Sequence, residues 1–408
     1  MKEYRPLRYV NSMLLKRAIF IVTLLVIPLT EVAASFQGVD KLQVHGFLTQ
    51  GYFLTSDNAV LGASDHDQGS LDFHETGLNA TYQFSNAFSF GVQGLFRKAG
   101  VSEDTRIDYA VLDWRVGSWE DGEWGLRLGR VKNPMGLYNE TRDVAFTRPS
   151  VFLPQGLYYD RSRNLVHSTD GGQLYVNLNT HIGFFELKGN VGKAENDNKE
   201  LKMAIFGFDT PGELVSKREN YWGQIKFESQ SGDLELALSY ADVVLDYKPG
   251  TGDPFRAGAT RYRPLVLSAQ YNWRKAILTA EYLRQQNRFN HLGVNFPDSA
   301  VVTESYYLQG EYLFSRKIKG ILRFGAHYLN KKDRGGKIAA ANLGIPDHRG
   351  FTEDWVVGLS WLPSSTWQLQ IEYHRLNGTS WLPAQANPDL SKLEQHWDMV
   401  AMTASFRF

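Results

Sequence analysis

From residue 40 to the C-terminus the chain alternates apolar and polar residues with a period of two, segment after segment. Leu234, Leu236, Leu238 and Tyr240 interleave with Glu235, Ala237, Ser239 and Ala241. Leu265, Leu267, Ala269, Tyr271 and Trp273 interleave with Val266, Ser268, Gln270 and Asn272. Trp367, Leu369, Ile371 and Tyr373 interleave with Gln368, Gln370, Glu372 and His374, and the chain closes with the same pattern through Val400, Met402, Ala404, Phe406 and Phe408. Successive side chains of a strand point to opposite faces, so this pattern makes strands with one apolar and one polar face. The polar face carries Arg, Lys, Glu and Gln in mid-strand, which a dry interior would not tolerate unpaired and a water-filled one would.

Sixteen strands can be placed, near 42–56, 70–84, 88–98, 105–117, 123–130, 172–180, 183–192, 220–229, 232–245, 262–273, 275–288, 303–314, 318–331, 353–362, 367–377 and 394–408. Their connections fall into two classes in alternation. Ser85-Asn86-Ala87, His181-Ile182, Gln230-Ser231, Arg274 and Ser315-Arg316-Lys317 are short; 57–69, 131–171, 193–219, 246–261, 289–302, 332–352 and 378–393 are long, and only 99–104 is a short member of the long class. A soluble sheet has no reason to sort its loops this way. Antiparallel strands running between two compartments do, with short turns on the periplasmic side and long loops outside. The expected fold is therefore all-β: a transmembrane up-and-down antiparallel β-barrel of 16 strands, with both termini on the periplasmic side.

The first residues read differently. Lys16 and Arg17 precede an apolar run from Ala18 to Leu29, and Val32-Ala33-Ala34 supplies small residues for cleavage. Residues 1–34 are expected to be a signal peptide and 35–408 the outer-membrane barrel; the run is shorter than the roughly 20 residues of a spanning helix. Residues 1–12 are unusual for a leader, and Met13 is an alternative start to Met1. The chain holds 44 basic and 44 acidic residues, of which the leader takes five and two, leaving 39 against 42. That near-balance argues against nucleic acid as a partner. With no cysteine there is no thiol catalysis, disulfide or thiolate metal site, and no cofactor is expected. Aromatic residues gather near strand ends, at Trp124, Tyr221, Trp222, Trp273, Trp355, Trp361, Trp367 and Trp397. They suit an interfacial girdle better than packing beneath loops.

The ending Ala404-Ser405-Phe406-Arg407-Phe408, the opening Leu42-Gln43-Val44-His45-Gly46-Phe47 and the stretch Leu126–Gly136 (LRLGRVKNPMG) resemble segments of Gram-negative outer-membrane porins, in particular the substrate-selective, phosphate-porin-like group. The resemblance covers residues 40–408 in architecture and rests on short motifs. It implies a channel for small hydrophilic solutes, a homotrimer set among outer-membrane lipid and lipopolysaccharide, and a terminal Phe408 read by the barrel-assembly machinery. It also implies that the third external loop folds into the lumen and narrows it.

That loop, Arg130 to Arg163, carries Arg130, Lys132, Arg142, Arg148, Arg161 and Arg163 against Glu140, Asp143 and Asp160. Tyr138, Phe146, Pro149, Phe152, Pro154, Tyr158 and Tyr159 punctuate it, more apolar surface than a disordered loop needs. Basic groups at a constriction concentrate anions, so a weak anion preference is expected; the plainer alternative is that these groups only pair with one another and set loop shape. By strand parity Arg97, Arg115 and Arg127 face inward on three consecutive strands and are expected to complete the constriction as one basic patch. Asp65-His66-Asp67 and Glu195-Asn196-Asp197 are loop clusters that suit solvated tips, with binding of a divalent cation or bridging of lipopolysaccharide as the alternatives. The competing function is a phospholipase-type barrel hydrolase, since His374 and Ser380 lie close in sequence. A hydrolytic triad needs its members in reach, and His374 points to the lumen by parity. The chain is read as a channel and not an enzyme.

Overall fold

The computed structural model describes residues 41–408 apart from 66, 195–198 and 295. The leader expected over residues 1–34, His66, and the cluster Glu195-Asn196-Asp197 lie outside the described residues.

The alternating segments form β1 (Leu42–Thr55), β2 (Ser70–Gln83), β3 (Phe88–Ala99), β4 (Ser102–Trp119), β5 (Gly122–Lys132), β6 (Ser168–Thr180) and β7 (Gly183–Ala194). After a three-residue strand, β8 (Glu213–Val215), come β9 (Asn220–Ser229), β10 (Leu234–Lys248), β11 (Gly258–Trp273), β12 (Ala276–Asn290) and β13 (Ser299–Leu313). The series ends with β14 (Ile318–Tyr328), β15 (Phe351–Trp361), β16 (Trp367–Gly378) and β17 (His396–Arg407). All pairings are antiparallel and each wall strand bonds to its neighbours in sequence; β8 only extends the edge of β10 through Asp246↔Val215. The wall closes where β1 meets β17, in register from Phe47↔Arg407 to Thr55↔Met399. Leaving β8 aside, this is a closed barrel of sixteen strands. Closure satisfies the backbone N–H and C=O groups within the wall and leaves no free edge, the condition for crossing hydrocarbon.

The outer face is apolar. Leu267, Leu308, Leu322 and Val357 are each at least half exposed, an arrangement stable against lipid tails and costly in water. Aromatic side chains ring the end with short turns: Phe88 stacks on Trp114 at 5.6 Å, and Trp124, Trp273, Phe314 and Trp361 are exposed nearby. Trp222 and Trp397, expected in the girdle, are instead buried inside. Trp397 packs with Trp381, Leu376 and Phe53, and Trp222 with Leu165, Leu201 and Leu245. Both occupy inward positions near the end with long loops, where loop side chains cover them.

Candidate pore constriction

Residues 133–167, between β5 and β6, pack against inward-facing side chains around the barrel. Near its start the backbone N–H of Gly136 donates to Ser239 Oγ of β10 at 3.0 Å, and Gln224 of β9 donates to the Gly136 carbonyl at 2.8 Å. Gly136 holds φ +58°, and a Cβ there would lie 2.3 Å from the Tyr158 hydroxyl, so the close approach requires glycine. Tyr158 donates to Glu281 of β12 at 2.7 Å and accepts from the N–H groups of Leu137 and Tyr138. Further on, the Val151 N–H donates to Glu372 of β16 at 2.8 Å, and Arg323 of β14 reaches Ser150 Oγ at 2.8 Å. Phe146 lies under the Arg407 guanidinium of β17, 4.4 Å from ring centre to Cζ. Met135, Leu153, Leu157 and Tyr158 form an apolar cluster with Val266, Leu283 and Tyr307 of the wall. The apolar residues that punctuate this segment are thus the ones that fix it to the wall.

Two carboxylate hubs tie the charges together. Glu75 of β2 is fully buried and accepts from Arg97 Nε at 2.9 Å and Arg148 Nη2 at 2.7 Å, with Arg163 at 3.7 Å. Arg97 also reaches Asp160 at 2.5 Å, and Arg142 lies 3.4 Å from the other Asp160 oxygen while donating to the Tyr158 carbonyl at 2.7 Å. Burial alone would raise the Asp160 carboxyl, but Arg97, Arg142 and Arg163 outweigh it and hold it well below the usual carboxylate range. The second hub is Asp143, fully buried, with Lys132 at 2.9 Å and Gln93 of β3 hydrogen-bonded to it. Asp108 of β4 joins it, bound to Arg106 at 2.9 Å and 3.3 Å from His167 Nε2. Burial pushes the His167 imidazole down to about 4, so it is neutral at pH 7. Asp108, Asp143 and His167 bring ligand-type atoms within 4.8 Å of one another. Lys132, Arg106 and Arg163 already supply three positive charges to the two carboxylates. The cluster therefore reads as an ion-pair network holding the loop to the wall. Glu140 leaves this group and binds Lys188 of β7 at 2.9 Å.

Arg97, Arg142, Arg148 and Arg163 line one water-sized cavity of about 20 Å³, with Asp160 the carboxylate among its lining residues. Buried guanidinium nitrogens Arg142 Nη1, Arg148 Nε, and Arg163 Nε and Nη2 have no hydrogen-bond partner among the described residues.

The barrel has counterparts among solved structures. The fold is that of the sixteen-stranded outer-membrane porins. An anion-selective porin from Comamonas acidovorans superposes with a TM-score of 0.55 at 15% identity, over 90% of this chain and 99% of that one. The outer membrane channel DcaP of Acinetobacter baumannii gives 0.56 at 12%, over 90% and 97%. The trimer form of OmpT, an outer membrane protein of Vibrio cholerae, gives 0.56 at 12%, over 90% and 99%. No protein-family model matches the sequence, and no curated protein matches it.

Within this porin fold, the expected site residues part company. Arg97, Lys132, Glu140, Arg142, Asp143, Arg148, Asp160 and Arg163 meet in the loop–wall network. Arg161 stands apart and donates to Gln385 of the last long loop at 2.6 Å. Arg115 and Arg127 do not join Arg97 in one patch. The register partner of Arg97 on β4 is Asp104 and that of Arg127 is Asp113, nine residues further along and about 30 Å away at ~3.3 Å per residue. Consecutive strands run in opposite directions, so inward parity on three of them does not imply equal depth. Arg127 instead binds Asp113 at 2.8 Å over the Tyr175 ring, and Arg115 binds Glu123 at 3.2 Å. Arg130 is on the outer wall. It holds the outward Asp170 at 2.7 Å and 2.9 Å and caps the carbonyl of Ile107, itself an exposed outer residue. Ordinary alternation puts it there: Leu128, two residues before it, is exposed on the same face, and the unbroken register Leu128↔Gly172 continues to Arg130↔Asp170. Glu75, Gln93, Asp108 and His167 were not singled out as constriction residues. The inward parity of Glu75 was legible, whereas Asp108 sits at an irregularity in the β3–β4 register that parity cannot follow. Finally, His374 binds Asp354 at 3.1 Å and Glu372 at 3.3 Å, while Ser380 Oγ pairs with Thr352 at 2.9 Å. A His–Ser hydrolytic pair is not assembled from them.

Proposed function

We propose that the chain is an outer-membrane channel through which small hydrophilic solutes diffuse passively, with a weak preference for anions. What supports this reading is that loop 133–167 is tied by hydrogen bonds and buried ion pairs to inward residues of a closed porin-type barrel, and a segment fixed there would narrow the conduit. The anion preference rests on the four guanidinium groups facing one cavity against the two carboxylates Glu75 and Asp160. Most other bases in the interior are matched by acids, so the preference is small. Entry of solute is from the long-loop side, and crossing follows the solute's own gradient. The trimer is the proposed assembly, in line with the trimeric Vibrio protein of the same fold, and Phe408 is the proposed handle for barrel assembly. The test is the reversal potential of purified protein in planar bilayers under a salt gradient. Anion preference that falls in Arg142→Ala/Arg148→Ala supports the reading; cation selectivity unchanged by that double substitution contradicts it.

A further inference from the structure

The network that ties loop 133–167 to the wall holds more positive charge than its acids return. Arg97, Arg106, Lys132, Arg142, Arg148 and Arg163 meet five carboxylates, Glu75, Asp104, Asp108, Asp143 and Asp160. Asp104 is the most exposed of the five, so water screens it most. Other acids nearby are engaged elsewhere: Lys188 holds Glu140 and Glu186, and Glu200 hydrogen-bonds Ser102. His167 is neutral and changes nothing. At least one buried positive charge is left without a counter-charge.

The excess has a location. Arg142 spends Nη2 on the Tyr158 carbonyl, and Arg148 spends both Nη atoms on Glu75, at 3.3 Å and 2.7 Å. Arg163 stands off at 3.7 Å from Glu75 and 3.9 Å from Asp108. The donors left over are Arg142 Nη1, Arg148 Nε, and Arg163 Nε and Nη2, which are buried and have no hydrogen-bond partner among the described residues. All three side chains are more than nine-tenths buried, and all three line the cavity of about 20 Å³. Phe73, Val151, Phe152 and Leu153 make its apolar walls. Asp160, its one carboxylate, is turned to Arg97 and Arg142, and Gln155 Oε1 already accepts from the Asp160 N–H. A space of this size takes one water-sized particle and no phosphate or sulfate. A water accepts only two hydrogen bonds and brings no charge.

We propose that this cavity is a site for one monatomic anion, a halide such as chloride, held by Arg142, Arg148 and Arg163 as a structural ion that completes the docking of loop 133–167. A spherical ion accepts from N–H groups in any direction, and charge-assisted hydrogen bonds are strong where water is excluded. Buried guanidinium groups without a counter-charge destabilise the docked loop, and the ion removes that penalty. The site shares its arginines with the proposed anion preference, but the ion is a fixed part of the loop and not the solute that crosses.

The experiment compares the full chain in detergent in sodium chloride and in sodium gluconate at equal ionic strength, so that general screening is the same. Hydrogen–deuterium exchange in peptides of 133–167 should be about tenfold slower in chloride, the factor that a ligand at about ten times its dissociation constant imposes on local opening. The effect should saturate with chloride, and peptides from β10 to β13 should not respond. Crystals grown in sodium bromide should show one anomalous-scattering peak among Arg142, Arg148 and Arg163. Arg142→Gln should abolish both signals, whereas Arg161→Gln, outside the cavity, should keep them; the native chain decides the matter alone if Arg142→Gln does not fold. Equal protection in chloride and gluconate would overturn the proposal, with water in the cavity or, where bromide is seen, an adventitious ion only. A chloride effect that never saturates, or that persists in Arg142→Gln, would overturn it as a bulk salt effect. None of these readings involves current, so a chain that fails to conduct would contradict the channel and leave this site standing.

Discussion

Replacing Glu75 by Gln removes a negative charge from a position that three arginines share while leaving size and shape almost unchanged. Arg148 loses its ion-pair partner at 2.7 Å, Arg97 keeps only Asp160, and Arg163 keeps only Asp108 at 3.9 Å. All three side chains are nearly buried, so water cannot compensate. Deleting one partner of a buried pair costs about 3–5 kcal/mol because the other charge stays behind uncompensated. The barrel wall has its own closed hydrogen-bond ladder, so the cost falls on docking of residues 133–167 rather than on the strands. At ~1.4 kcal/mol per factor of ten, local opening of that loop should become from about a hundredfold to more than a thousandfold more frequent. Hydrogen–deuterium exchange read by mass spectrometry checks this directly. Peptides within 133–167 should lose protection by that factor while peptides from β10 to β13 stay unchanged. A second substitution, Arg148→Met, should recover part of the loss, because an apolar side chain in place of the stranded charge is well tolerated. Protection of the loop within about threefold of the native chain would refute the idea that Glu75 is its anchor.

Other outcomes follow from the same geometry. Tyr158→Phe removes the hydroxyl that bonds Glu281 and caps two backbone N–H groups, and should weaken loop docking by about 1–3 kcal/mol, seen as added current noise in single-channel records. Acid should loosen the loop: His167, held at about 4 against an ordinary 6.5, opposes the docked form as pH falls from 6.5 toward 4, by up to about 3 kcal/mol at ~1.36 kcal/mol per unit. Asp160 acts in the same direction, since its depressed carboxyl stabilises the docked form above pH ~4 and that contribution fades below it. Channel noise and exchange in 133–167 should therefore rise between pH 6.5 and 4, and His167→Gln should remove the upper part of that rise. Deleting Phe408 should lower the amount of protein in the outer-membrane fraction while leaving the fold refolded in detergent unaffected.

The wall was legible because its signal is local. The segment Leu234–Ala241 reads as half-buried strand from its own residues, and β9 spans the residues expected for it, 220–229. What could not be read were relations between strands. Arg97 and Arg127 share parity but not depth, since the stagger of β3, β4 and β5 is set by pairing and bulges that leave no mark in sequence. Arg130 was read with the loop's charges, although alternation from the inward Arg127 already places it with Leu128 on the outer face. Trp222 and Trp397 looked like girdle residues because aromatics serve both interfaces and cores, and only loop coverage separates the two roles. The loop's own charges were visible, but their main partners, Glu75 and Asp108, lie on strands distant in sequence.

The central claim, a water-filled conduit through this barrel, is tested most directly by single-channel recording of the purified protein in planar bilayers. Discrete, reproducible conductance steps that scale with salt concentration are expected. Membranes that remain electrically silent, with insertion of the folded barrel verified, would contradict it.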